Sequence, residues 1–186
     1  IDIINYIYKN KDTLSEQDVN KIINDYYTLN NFYELDKIVN KWSESLCFKV
    51  WMQKVDDAIS AHKHEKYSLS IPIWAMMLEG IIRDFMRTIY GISSFRFGPL
   101  YNSFKEKVEE LDAFLINHVF YCMDSFYISF DPNKPDETDD FNRHKILHGL
   151  AQGYDLPIYS LKLILYLDEI FYIISSLELE NNIAVS

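Results

Sequence analysis

The sequence has little glycine and little proline, with five of each among 186 residues. A turn-rich all-β domain needs many of both, so their scarcity argues against that class and favours helices. Hydrophobic residues make up 48% of the chain, enough for a folded domain with a full core. No stretch shows the period-two alternation of a strand, so we expect an all-α fold.

Cysteine is scarce as well, and the two present, Cys47 and Cys122, form no CxxC pair. Without a secretory segment, we expect both to be free thiols in a reducing cytoplasm. Long uncharged apolar runs are also missing, because Glu79, Arg83 and Asp168 interrupt the two longest ones. The sequence therefore predicts a cytoplasmic protein with no membrane span.

Basic residues are fewer than acidic ones. The chain has 18 Lys and Arg against 28 Asp and Glu, for a formal net charge of −10. This balance argues against nucleic-acid binding by broad neutralisation of phosphates. It still allows an enzyme that contacts one or two phosphates through locally placed arginines.

Apolar residues recur at helical spacing along most of the chain. We expect a short N-terminal helical extension over residues 1–45, broken at Asn30–Asn31, and a helical bundle over residues 46–180. Ser70 is the expected N-cap of the central helix, with Pro72 in its first turn. The expected helices cover residues 13–29, 31–42, 48–66, 71–91, 100–128 and 157–177.

Three histidines outside the motif described next have simple interpretations. His62 and His64 are two apart and diverge on a helix, so we expect solvated residues at a fraying helix end. His118 lies in an apolar stripe and is expected to be a hydrogen-bonded core histidine. The acidic segment 131–140 is expected to be a mobile surface loop.

The segment 142–149, "NRHKILHG", concentrates basic and ionisable residues in a chain that is otherwise rich in Ile, Leu and Tyr. One interpretation is a solvated turn in which Ile146 and Leu147 face the core and the charged residues face water. A second is a metal site, because His144 and His148 are at i and i+4 and lie on one helical face.

A metal site needs a third ligand, which Glu79, His118 or Asp140 could supply. No other ligand cluster is evident, and an isolated HxxxH is weak evidence. We predict no metal and no other cofactor. Glu79 lies four residues before Arg83. It therefore either forms an internal ion pair or orients another group of the site.

A third interpretation rests on a family resemblance. Arg143, the polar His144, three further residues and then His148 resemble the signature of the HEPN superfamily. "IP" and "EG" upstream, within 71–80, and "Y" and "SLKL" downstream are similar to a group of bacterial proteins that carry "IP…EG" before "NRH…HG". The similarity covers about residues 48–178, and Tyr159 departs from it where the group has Asn.

The resemblance implies a HEPN-like all-α bundle, and many such domains are metal-independent ribonucleases of phage-defence or toxin–antitoxin systems. It implies His148 as general acid and base and Arg143 as the clamp on the scissile phosphate. His144 and Asn142 would assist, with Glu79 and Tyr154 in support. The alternative is a non-catalytic nucleotide-binding or protein-interaction module.

The spacing of the two principal residues raises the question of a second copy. Positions five apart on an ideal helix point about 140° away from each other. HEPN ribonucleases pair two motifs in one shared cleft, so we expect a homodimer through the motif-bearing helices. RNA is the expected substrate, and an antitoxin or an upstream domain is a candidate partner.

Overall fold

The computed structural model describes residues 3–109, 113–128, 131, 133–134 and 140–181. Throughout these ranges the regular structure is helical, without a strand, which confirms the all-α prediction. A 3-10 turn covers Trp42–Glu44. The described helices are α1 (Ile3–Lys9), α2 (Glu16–Lys41), α3 (Leu46–Lys49), α4 (Met52–Lys63), α5 (Tyr67–Tyr90), α6 (Phe97–Val108), α7 (Ala113–Phe126), α8 (Arg143–Leu147) and α9 (Pro157–Glu180).

The chain divides into two compact units, residues 1–41 and residues 42–186. In the first unit, α2 contains a break where Leu29 is extended and Asn30, Asn31 and Phe32 have φ of 51°, 56° and 63°. Asparagine tolerates this left-handed conformation better than most residues, so the helix breaks at the Asn pair. The predicted break at Asn30–Asn31 is confirmed.

The second unit is built around α5, which packs against α3, α4, α6, α8 and α9. Its buried side chains recur at helical spacing and cover one broad face of the helix. Each large side chain removed from water stabilises the fold by about 1.5–3 kcal/mol. The fully buried residues of α5 include Ile71, Trp74, Met77, Leu78, Ile81, Ile82 and Phe85.

The start of α5 differs from the prediction. The helix begins at Tyr67, so Ser70 is not its N-cap but a buried residue inside it, with its Oγ 3.0 Å from Ser160 Oγ. Pro72 therefore lies beyond the first turn, where it cannot donate a hydrogen bond to the carbonyl of Ser68. The Tyr154 hydroxyl donates to that carbonyl at 3.4 Å and so replaces the missing partner.

The prediction of a single helix over 100–128 is wrong, because two helices, α6 and α7, pack side by side there. Lys105 Nζ lies 2.6 Å from Asp124 Oδ1, whereas residues this far apart on one helix are separated by about 28 Å. The rings of Tyr101 and Phe104 both contact Phe120 across the pair. Apolar periodicity continues through both helices, so it did not reveal where the chain reverses.

The helix expected over 48–66 is also interrupted, because α3 ends at Lys49 and α4 begins at Met52. His62 in α4 is buried, 2% exposed, which corrects its assignment to a solvated helix end. Its Nδ1 lies 2.8 Å from Ser160 Oγ. Burial, with a smaller contribution from Lys63, lowers the pKa of His62 to about 4. Val55 and Ala58 precede His62 at helical spacing, so it belongs to the apolar face.

Some sequence predictions fall outside the described residues. His118 lies in α7, but its side chain is not described, and neither is most of the acidic segment 131–140.

The two cysteines are free; Cys47 is buried, and Cys122 is half-buried. Burial raises the pKa of the Cys47 thiol to about 12, so it stays protonated. No helix in the described ranges is long and apolar enough to cross a membrane.

Candidate functional site

The motif segment folds as a short helix, α8, whose start is fixed by Asn142. The Asn142 side chain is 1% exposed, and its Oδ1 accepts hydrogen bonds from the backbone N–H of His144 at 3.0 Å and of Lys145 at 3.2 Å. Its Nδ2 donates to the carbonyl of Ile128 at 3.0 Å. Asn142 therefore acts as an N-cap that also ties α8 to the end of α7. Asn142 therefore assists the site by positioning α8.

The end of α8 is fixed just as locally, by Gly149. His148 is the C-cap residue, and Gly149 follows with φ of 70°, a conformation that glycine adopts without strain. The Gly149 N–H donates to the carbonyl of Ile146 at 3.2 Å, and the Leu150 N–H donates to that of Lys145 at 2.8 Å. This is a Schellman motif, which stops the helix directly after His148.

The solvated-turn interpretation is wrong for Lys145 and Leu147, although Ile146 does face the core and His148 is exposed. Lys145 is 5% exposed, and its Nζ lies 2.7 Å from Asp140 Oδ1. The pKa of Asp140 is lowered, first by the hydrogen bond from Lys145. Leu147, expected to face the core, is 38% exposed, whereas Ile146 is buried.

Arg143, His144 and His148 form a row along α8. Arg143 Nη1 lies 3.4 Å from His144 Nδ1, and the rings of His144 and His148 are parallel, with centroids 6.2 Å apart. Burial lowers the pKa of His144, and the positive charge of Arg143 lowers it further. A neutral His144 can accept a hydrogen bond from Arg143 through Nδ1. His148 is exposed at the end of the row.

Glu79 connects this row to α5. Its Oε2 accepts from Arg143 Nη2, and its Oε1 accepts from Arg83 Nη2 at 2.7 Å and Nε at 3.2 Å. The ion pair with Arg83 confirms one of the two interpretations of Glu79. The pairing with Arg143 means that Glu79 also orients a group of the candidate site. Two arginines and one carboxylate leave this cluster with a net charge of +1.

Two further groups border the Glu79 cluster. Arg83 Nη1 donates to the carbonyl of Ser94 at 2.6 Å, which holds the loop after α5. The Tyr127 hydroxyl is buried and has no hydrogen-bond partner among the described residues. Burial and the negative charge of Glu79 raise the pKa of Tyr127, against the effect of Arg143 and Arg83. The phenol therefore stays protonated and can donate a hydrogen bond.

A cavity of about 530 Å³ opens beside these charges. We call it the α5–α8 cavity, because most of its lining comes from these two helices, with Trp51 as a third wall. A volume of this size is typical of sites for small organic ligands. The lining residues are Trp51, Pro72, Ile73, Met76, Glu79, Gly80, Arg83, Arg143 and Leu147.

The proposed metal ligands do not converge in the described part of the chain. No group of three or more His, Cys, Asp or Glu side chains there could hold a metal ion. Asp140 is engaged with Lys145, and Glu79 is engaged with two arginines. Of the predicted site residues, the structure brings together Arg143, His144 and His148, with Glu79 against Arg143. Tyr154, by contrast, bonds to the first turn of α5.

Sequence reasoning missed Trp51, Met76 and Tyr127. Trp51 falls inside the helix expected over 48–66, and Met76 and Tyr127 belong to no motif. The "EG" pair offered one signal, because Gly80 in the middle of a helix is unfavourable unless something packs there closely. That partner is the Trp51 ring, as the atoms nearest to a Cβ built on Gly80 are Trp51 Cη2 at 2.2 Å and Cζ2 at 2.5 Å.

Comparisons with known proteins give no match. No protein-family model matches the chain, and neither a curated protein nor a solved structure matches it. The function of the protein therefore has to be inferred from the residues of the site.

Proposed function

We propose that this protein is a metal-independent endoribonuclease of the HEPN type. The observation that carries the proposal is the row of Arg143, His144 and His148, which places a guanidinium and two imidazoles side by side next to a cavity. These are the groups that cleavage of RNA without a metal requires. Toxin-like or phage-defence cleavage of cytoplasmic RNA is the setting that the family resemblance suggests.

The reaction uses the 2′-hydroxyl of the RNA as nucleophile. A neutral imidazole removes the proton of the 2′-hydroxyl, the O2′–P bond forms, and the P–O5′ bond breaks. The 5′-oxygen takes a proton from an imidazolium, which leaves a 2′,3′-cyclic phosphate and a 5′-hydroxyl. DNA lacks the 2′-hydroxyl and cannot react in this way.

His148 suits the proton-transfer role, because its ring is exposed at the end of α8 where a strand of RNA can reach it. An imidazole can work as acid or as base, because each ring nitrogen can hold or release a proton. Arg143 suits the role of phosphate clamp, because its fork of donors matches two phosphate oxygens and supports the charge that grows on them. His144 separates the two and contacts both.

Local charge makes phosphate binding compatible with an acidic protein. The cluster of Glu79, Arg83 and Arg143 carries a net charge of +1, although the whole chain carries −10. Attraction at short range in a partly buried site outweighs repulsion from dispersed surface charges, which salt screens. The site therefore selects one phosphate rather than a long stretch of backbone.

A homodimer is part of the proposal. Exposed apolar side chains follow Leu147 along the chain, with Leu150 49% and Leu156 44% exposed. A twofold contact there covers apolar surface and brings two motifs to one cleft. One copy then supplies the base and the other the acid.

A second candidate function is a nucleotide-binding or partner-docking module without catalysis. The observation that favours it is the ion pair between Glu79 and Arg143, because a carboxylate already neutralises the proposed phosphate clamp. In a catalyst, the incoming phosphate must share or displace this carboxylate. In a binding module, the pair only shapes the cavity.

The deciding experiment is incubation of the purified protein with a mixture of RNAs in EDTA. We expect products with 2′,3′-cyclic phosphate ends and at least about a 100-fold loss of rate in His148→Ala and in Arg143→Ala. His64→Ala and Arg87→Ala, which change exposed residues of the same types, serve as matched controls and keep the activity.

Three other results would redirect the assignment. Activity that EDTA abolishes and zinc restores would replace the mechanism with a metal-dependent one. Binding of nucleotides without cleavage would favour the second candidate. A strictly monomeric protein at micromolar concentration in light scattering would remove the shared cleft.

A further inference from the structure

The α5–α8 cavity has a rigid aromatic wall. The Trp51 Nε1–H donates to Asp84 Oδ2 at 2.9 Å, and the six-membered ring lies directly against Gly80. Both contacts fix the indole before any ligand arrives. A second cavity, of about 370 Å³, shares Trp51, Gly80 and Arg83 with the first, so the indole borders both open spaces. Lys54 Nζ lies over this ring at 5.0 Å from its centroid, so a ligand that stacks on the indole uses the face opposite the lysine.

The remaining wall of the cavity is apolar, and one end is polar. Ile73, Met76 and Leu147 line it, and Met76 is 41% exposed at its opening. The polar end is formed by Arg83 and Arg143, with Glu79 between them. A ligand that fits has a flat, largely apolar part and an adjoining anion. A nucleobase joined to a phosphate has this composition.

We propose that the α5–α8 cavity binds one unpaired base of the RNA strand and thereby sets which sequences are cut. The identity of the ligand as RNA rests on the proposed ribonuclease function. Arg143 lines the cavity and also holds the scissile phosphate in that proposal, so the bound base belongs to a nucleotide beside the cut. Trp51 is the stacking wall, and Glu79 and Arg83 face the polar edge of the base.

Single-stranded RNA favours this arrangement over a duplex. Specific recognition of RNA mostly uses unpaired bases that turn outward and stack on aromatic side chains, whereas paired bases cannot enter a pocket. Stacking on tryptophan tolerates every base, so selectivity has to come from the polar groups at the end. The carboxylate of Glu79 and the guanidinium of Arg83 can accept from and donate to the edge of a base.

The test separates base binding from cleavage. Calorimetry compares the 3′-monophosphates of adenosine, guanosine, cytidine and uridine with ribose 5-phosphate, which has the anion and no base. We expect at least one nucleotide to bind about 10-fold or more tightly than ribose 5-phosphate. We also expect the four nucleotides to differ in affinity.

The variant Met76→Trp fills the opening of the cavity from an exposed position and leaves Arg143 and His148 unchanged. We expect it to abolish the advantage of nucleotides over ribose 5-phosphate and to flatten the sequence preference of cleavage. Leu69→Trp is the matched control, because Leu69 is a 57% exposed residue of α5 outside the cavity. It should behave like the unmodified protein.

The outcomes for the two proposals are distinct. If nucleotides bind no more tightly than ribose 5-phosphate, or if Met76→Trp keeps the full base preference, the cavity is not a base subsite. Cleavage could still occur in that case, so the ribonuclease proposal would survive. Base-dependent binding that Met76→Trp removes would support the subsite even if no RNA were cut.

Discussion

Glu79 and Arg143 lie 64 residues apart in the chain and meet in an ion pair that joins α5 to α8. The side chains are only 15% and 20% exposed, so the pair is shielded from water. Glu79 holds Arg83 at the same time through its other oxygen. The guanidinium proposed to hold phosphate is thus oriented by a residue of the central helix.

We expect Glu79→Gln to lower the free energy of unfolding by about 2 kcal/mol, because two partly buried arginines lose their counter-ion. Urea unfolding measures the change. Arg87→Gln is the control, since it breaks a pair of the same helix whose arginine is 68% exposed and should cost less than about 1 kcal/mol. Equal losses in the two variants would argue against a special role for Glu79.

Glu79→Gln should also change both KM and kcat of RNA cleavage. Removing the carboxylate makes the cluster more positive, so we expect a lower KM for RNA. Arg143 loses the partner that orients it, so we expect kcat to fall by about 10-fold or more. Steady-state kinetics at constant salt gives both values. A fall in kcat with unchanged KM would show orientation alone, and an unchanged kcat would contradict the positioning role.

Gly80→Ala should destabilise the protein, although alanine is the better helix former. The new Cβ would lie 2.2 Å from Cη2 of Trp51, so the indole has to move. We expect a loss of about 1–3 kcal/mol in thermal or urea unfolding and a changed tryptophan fluorescence. Gly98→Ala is the control. A Cβ there meets nothing within 4 Å, so the change should be neutral or stabilising.

His62 should make the fold sensitive to mild acid. Its pKa is about 4 in the folded protein and about 6.5 in the unfolded chain, so the unfolded chain binds the proton first. As pH falls from 6.5 to 4, we expect this residue to remove up to about 3 kcal/mol of stability, with no further loss below pH 4.

Unfolding free energies across this pH range test the role of His62. His62→Asn keeps a polar atom near Ser160 and should remove this part of the pH dependence. His64→Asn changes an exposed histidine and should leave the dependence as it is. An unchanged slope in His62→Asn would show that other groups cause the acid sensitivity.

Pro72 and Tyr154 should be energetically coupled through the Ser68 carbonyl. In the wild type, Tyr154→Phe removes the hydrogen bond to that carbonyl and should cost about 0.5 kcal/mol, because the bond is 3.4 Å long and exposed. In Pro72→Ala, the backbone N–H of residue 72 can satisfy the same carbonyl, so Tyr154→Phe should cost much less. A double-mutant cycle by urea unfolding measures the coupling, and additive effects would contradict it.

Much of the local structure can be predicted from the sequence. The scarcity of glycine and proline and the helical spacing of apolar residues indicate an all-α fold, and the Asn30–Asn31 pair marks a real break. The i, i+4 spacing of Glu79 and Arg83 predicts their ion pair. These features depend on interactions within a few residues, which a short stretch of sequence encodes.

Other features were mispredicted for a common reason. The apolar pattern over 100–128 continues through a chain reversal. Ser70 is predicted as an N-cap because the residues of the preceding helical turn carry weak sequence signals for a helix. The sequence predicts a solvated His62, whereas its burial depends on packing near Ser160, nearly a hundred positions away. Periodicity shows that a face is apolar and cannot show what covers it.

The sequence by itself determined the residues of the candidate site, their order, and the signals that begin and end α8 at Asn142 and Gly149. Only the tertiary structure decided that Glu79 reaches Arg143 and that Trp51 lies against Gly80 to form a cavity. Capping and helical spacing are settled by neighbours along the chain. Contacts between distant segments are settled by how whole helices pack, which depends on all their side chains together.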